Sequence, residues 1–236
     1  MTKNCILCTT SYPVYKSLKF RIPIFLMMTS LVIFEFMIVK WKYIISAFTQ
    51  YGLVITWILF LTLVFSSFFL NLGIHINNIL SDKILNIFFE VTWNAEATIT
   101  IVFWLILFPA TLFEESNGKD PETISDIIYQ LLAHSLPLFV LTLDFLKNSV
   151  LFDFSHYLFS LGLILFYCII ALIYWIKTDY FPYQEYISSF HFMPFLFFLL
   201  SLLVHFFSMI IGIKISQYKM KYSNSEIYEI NLAEKV

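Results

Sequence analysis

The chain has 236 residues, 60% of them hydrophobic and only 13% charged, with 28 phenylalanines and a formal net charge of -2. The apolar residues gather in blocks of membrane-span length, so lipid is the expected solvent and one large soluble domain is excluded as the default reading. No run of lysine and arginine forms a groove for phosphates, which excludes nucleic acid as a partner.

Residues 1–21 are polar and are expected to form a cytosolic leading segment. The apolar stretch that follows is of full span length, so it reads as a first helix and not as a signal peptide. Cys5 and Cys8 have the spacing of half a zinc site or of a redox pair, but no second ligand pair accompanies them. Structural neutrality is the leading reading for these two cysteines, ahead of palmitoylation, with metal binding or redox chemistry last.

The first span is expected over residues 22–39, opened by Pro23, whose missing N–H has no helical partner at a helix start. Lys40 and Lys42 end it, and a second span runs from about Ile44 to Leu70 with Thr49 and Gln50 near its beginning. A polar connection over 71–83 leads to an interfacial half-helix at 84–91, and the third span follows at about Asn94 to Leu112, carrying Glu96, Phe103 and Trp104. The segment 114–122, with Asn117-Gly118 and Asp120-Pro121, is the clearest aqueous loop. A fourth span covers about Thr123 to Phe145, a fifth about Leu151 to Ile176, and a sixth about Phe190 to Ile213, before a polar tail over 214–236 that is expected to be loosely ordered.

The expected fold is therefore all-α: a polytopic protein with a six-helix transmembrane domain over 22–213 and both termini on one side. With a cytosolic N-terminus, ten basic residues fall in inside segments against four outside, which favours cytosolic termini. The endoplasmic reticulum and the plasma membrane are the two membranes considered. The halves of the chain share no motif that would indicate the inverted repeats of a transporter.

Ionisable groups within spans are expensive in lipid and are expected to face a protein interior or cavity. His134 lies about 16 Å down the fourth span and Thr49 about 8 to 10 Å down the second, both measured from the outer side, so the two can share a level. A threonine hydroxyl attacks an ester only when a base such as imidazole takes its proton, so the two could form a nucleophile and base. The blander readings stay open: a Thr49 hydroxyl bonded to a carbonyl of its own helix, and a His134 that makes a structural interhelical bond. Gln130, one turn before His134, could orient the imidazole, while Asp144 is expected nearer the inner end of the cavity. Glu35, Glu96, Gln50, His205 and His191 are further cavity candidates, whereas His75 and His156 read as loop or interface residues. Clustered-histidine di-iron patterns, HExxH and GxSxG are all absent, so a hydrolase here would be metal-free and not of the common serine type.

The stretches FTQYGLVITWILF around Thr49, TITIVFW before the 114–122 loop, HSLPLFVLTLD from His134, and IALIYWIKTDYFPYQEY carry a likeness in order and spacing. On these the chain resembles the androgen-induced membrane hydrolase family, which includes the androgen-dependent regulator of tissue factor pathway inhibitor. Leu131 stands where family members often carry a second histidine, and Pro137 follows the histidine more closely than is usual there. The resemblance implies six spans and hydrolysis of fatty acid esters of hydroxy fatty acids, with Thr49 as nucleophile and His134 as base. It implies no cofactor and no metal, and a lipid ester that enters from the bilayer. The alternative is a non-catalytic lipid-binding regulator or a small transporter on the same bundle.

Overall fold

The computed structural model describes residues 18–38, 48–72, 79–109, 124–148, 150–178 and 193–233. The calls on Cys5, Cys8, Lys40, Lys42, His75, the 114–122 loop and His191 lie outside them. Six long helices account for nearly all of the described residues, with no strand among them: α1 (Leu18–Ile38), α2 (Phe48–Asn71), α3 (Ile79–Val102), α4 (Ile124–Lys147), α5 (Tyr157–Thr178) and α6 (Met193–Ala233). A π-helical segment, Phe103–Leu107, extends α3, and a single 3-10 turn, Phe154–His156, leads into α5.

Five of these helices are long and apolar enough to cross a membrane: α1, α2, α4, α5 with its leading turn, and α6. Phenylalanine, leucine and isoleucine side chains such as Phe159, Phe166, Ile176 and Phe207 are exposed on their outer faces. An apolar surface of that extent would aggregate in water and is at rest in hydrocarbon, so the chain reads as an integral membrane protein.

The sixth helix, α3, is not among the five, and its position explains why. It touches α2, α4, α5 and α6, and every residue from Thr92 to Ile99 is buried. Over that stretch the helix is enclosed on all faces and has no lipid stripe to keep apolar, and its polar groups can be met by neighbouring side chains. Ala95 and Ala97 keep its surface thin, and Gly52 of α2 comes so close that an added Cβ would meet Glu96 Oε1 at 2.9 Å and collide with Ile99.

Several boundaries differ from the sequence reading. The expected half-helix at 84–91 and third span merge into one helix. Pro23 lies inside α1, which begins at Leu18, so Arg21 belongs to the helix and not to a solvated leading segment. Arg21 is 2% exposed; its Nε and Nη2 donate to the two oxygens of Asp144 at 2.8 and 3.0 Å. The described part of the tail is helical as well: α6 continues to Ala233, and Lys219 Nζ donates to the carbonyls of Phe145 and Val150 at 2.6 and 3.0 Å. The Phe145 carbonyl belongs to the last turn of α4, where no intrahelical donor remains, so the lysine caps that helix. His156, read as a loop or interface residue, places Nδ1 3.0 Å from Glu90 Oε1 on the buried side of α3.

Candidate active site

Thr49 stands in the first turn of α2 and His134 near the middle of α4, 85 residues apart in sequence. The threonine Oγ1 is 3.4 Å from His134 Nδ1, at the long end of hydrogen-bonding distance. Both line one small cavity of about 30 Å³, to which α2 through α6 all contribute. Its remaining wall is apolar apart from Thr98, Tyr167, Cys168 and Ser201.

The chain holds His134 by two contacts, beside a weakened turn of α4. Its imidazole stacks flat on Phe103, with ring centroids 3.8 Å apart and an interplanar angle of 7°. Its backbone carbonyl accepts from Thr100 Oγ1 at 2.6 Å, which ties α4 to α3 at this turn. Pro137, three residues on, lacks the N–H that would bond the Ala133 carbonyl, which loosens the α4 ladder beside the histidine. The π-helical segment turns consecutive residues toward α4: Phe103 meets His134, and Trp104 Nε1 donates to Ser135 Oγ at 3.0 Å. Such segments, with one extra residue per turn, are rare and occur mostly at functional sites.

The other residues singled out in the sequence lie off this cavity. Gln50 Nε2 donates to Glu35 Oε1 at 2.5 Å, and Glu35 Oε2 and Gln50 Oε1 pair with nothing among the described residues. Glu96 accepts from Thr56 Oγ1 at 2.7 Å between α3 and α2. Gln130 is one turn from His134 but does not border the cavity. Asp144, expected at the cavity's inner end, is taken up by Arg21 and by Asn148 Nδ2 at 3.1 Å, because a buried carboxylate requires a cation and donors. His205 is fully buried among Asn94, Thr98 and Ser160, and of these only Thr98 reaches the cavity wall.

Sequence reasoning missed Thr98, Ser160 and Ser201, which look like ordinary small polar residues in apolar helices. Their spacing held a signal: Asn94 and Thr98, and Ser201 and His205, are each four apart, which places each pair on one helical face. Phe103 was noticed only as part of a span. No family model, curated protein or solved structure matches the chain.

A hydroxyl beside an imidazole nitrogen, in a cavity largely shut off from water, has the parts for nucleophilic attack assisted by a base. The geometry alone fits equally well with a structural hydrogen bond between α2 and α4.

Proposed function

We propose that the protein is an intramembrane hydrolase of lipid esters, with Thr49 as nucleophile and His134 as base. One observation carries the reading: two residues chosen from the sequence for their chemistry lie 3.4 Å apart on the wall of a common cavity. The likeness to the androgen-induced membrane hydrolases, which is a sequence resemblance, narrows the substrate to fatty acid esters of hydroxy fatty acids.

In the proposed reaction His134 takes the Thr49 proton as Oγ1 bonds to the ester carbonyl carbon. The tetrahedral intermediate collapses with loss of the hydroxy fatty acid, whose alkoxide receives that proton. The acyl-threonine left behind is hydrolysed by water activated by the same imidazole, which frees the fatty acid. About 30 Å³ holds a carbonyl or a few waters and no acyl chain, so the chains lie outside the cavity, along the apolar helices. The substrate carboxylate stays at the interface, with Lys177 at the end of α5 as one partner. The reading includes six spans with cytosolic termini, α3 being the sixth, in the endoplasmic reticulum or plasma membrane.

A second reading, a non-catalytic lipid-binding regulator, draws on a wide groove of about 640 Å³ between α3 and α5, lined entirely by apolar side chains including Ile87, Phe88, Phe159 and Phe166. Fluorophosphonate labelling in membranes separates the two. The hydrolase reading expects wild type to be labelled and both Thr49→Ala and His134→Ala to be unlabelled; equal labelling of wild type and Thr49→Ala removes Thr49 as nucleophile.

A further inference from the structure

Below the cavity lies a second polar layer, one helical turn deeper on three helices. Asn94 is one turn from Thr98 on α3, Ser160 one turn from Ile164 on α5, and His205 one turn from Ser201 on α6; the second member of each pair lines the cavity. Asn94, Ser160 and His205 are each at most 2% exposed.

One assignment of protons satisfies the histidine contacts of this layer. Thr98 Oγ1 is 2.8 Å from the Asn94 carbonyl, which only accepts, so the single hydroxyl proton of Thr98 goes there. The contact between Thr98 Oγ1 and His205 Nδ1, at 3.0 Å, must then be a donation from the ring. A neutral His205 protonated at Nδ1 has its lone pair on Nε2, which faces two donors, Ser160 Oγ at 2.9 Å and Asn94 Nδ2 at 3.1 Å. Asn94 Nδ2 in turn donates to Ser160 Oγ at 3.0 Å.

Ser160 and His205 thus resemble a serine–histidine pair, but both are at most 2% exposed and neither borders the cavity. The layer's effect is exerted through Thr98. A threonine oxygen can accept two hydrogen bonds. With its proton committed to Asn94 and one acceptor position filled by His205, Thr98 can offer the cavity only an acceptor. The ligand complementary to an acceptor facing a neighbouring base is a molecule with two donors.

We propose that Thr98, held in this state by His205, is the positioning residue for the water that hydrolyses the acyl-enzyme. The inference rests on the function proposed above. The water donates one O–H to Thr98 Oγ1 and the other to the His134 imidazole. As its oxygen bonds to the acyl carbonyl carbon, the second proton passes to His134; the bond from that carbon to Thr49 Oγ1 then breaks, and Thr49 takes the proton back. The products are a free fatty acid and the original threonine hydroxyl.

The test measures the two half-reactions separately in purified full-length protein in mixed micelles, using a fatty acid ester of a hydroxy fatty acid. Thr98→Val preserves shape and removes the acceptor. It is expected to release the hydroxy fatty acid in a first-turnover burst at the wild-type rate. Release of the fatty acid falls on the order of 10- to 100-fold, and the acyl adduct on Thr49 accumulates in intact-mass spectra. Hydroxylamine, an acyl acceptor that needs no positioned water, restores turnover, as does Thr98→Ser in place of valine. If Thr98→Val does not yield folded protein, His205→Asn is read by the same criteria. Wild-type turnover in Thr98→Val, or a parallel fall in both half-reactions that hydroxylamine does not relieve, overturns the role of Thr98. An acyl adduct that still forms in Thr49→Ala overturns the proposed function itself.

Discussion

The ring of Phe103 covers one face of the His134 imidazole, parallel to within 7°. A flat contact fixes the plane in which both ring nitrogens lie, and so the line along which Nδ1 meets the Thr49 hydroxyl. The residue that sets this plane comes from the π-helical segment and not from the element that carries the histidine.

Replacing that flat surface tests the relationship. Phe103→Leu retains an apolar side chain and lets the imidazole rotate. Misplaced catalytic groups lose on the order of tenfold or more in rate, so kcat for ester hydrolysis is expected to fall by about that factor while the unfolding transition is retained. An unchanged kcat would show that the stack does not orient the base.

Arg21 and Asp144 form a buried ion pair joining α1 to α4, and Arg21 Nη1 also donates to Ser67 of α2 at 3.3 Å. Asp144→Leu alone leaves the guanidinium buried without its carboxylate, which typically costs about 3 to 5 kcal/mol. The double change Arg21→Met with Asp144→Leu is expected to lie closer to wild type than either single change. Reversible unfolding of all four proteins in micelles gives the cycle; additive single effects would count against the pair acting as a unit.

Gly52 and Gly162 make opposite predictions for one substitution. Alanine is favoured over glycine within a helix by about 0.8 to 1 kcal/mol, and a Cβ at Gly162 meets nothing within 4 Å, so Gly162→Ala is expected to stabilise. At Gly52 the added atom strikes Ile99 and the Glu96 carboxylate, and overpacking of that kind costs about 1 to 3 kcal/mol. Gly52→Ala is therefore expected to destabilise in the same unfolding measurement, and a gain would mean that α2 and α3 can separate freely.

The helical class and the apolar spans were legible because lipid-facing helices announce themselves by composition. Thr49 and His134 could be picked out because a histidine deep in a span requires a partner. What the sequence hid depends on contacts between distant segments. Arg21 looked like a residue of a solvated terminus because nothing local shows that Asp144, 123 residues later, lies opposite it. His205 was read as a cavity-lining candidate, but its place below the cavity follows from Asn94, Thr98 and Ser160, which converge only when three helices pack. The π-helical segment had no local signature either, since FWLIL would continue an α-helix equally well.

The enclosure of α3 has a consequence for biogenesis. Asp82, Lys83, Glu90, Asn94 and Glu96 make it the segment least able to leave a translocon for lipid by itself. Three of the four helices that shelter it, α4, α5 and α6, are synthesised after it, and His156, which meets Glu90, also comes later. Until they emerge, α3 must be retained beside α2 or shielded by a membrane chaperone, so the bundle closes around its centre last and a truncation before α5 would strand that centre in the bilayer.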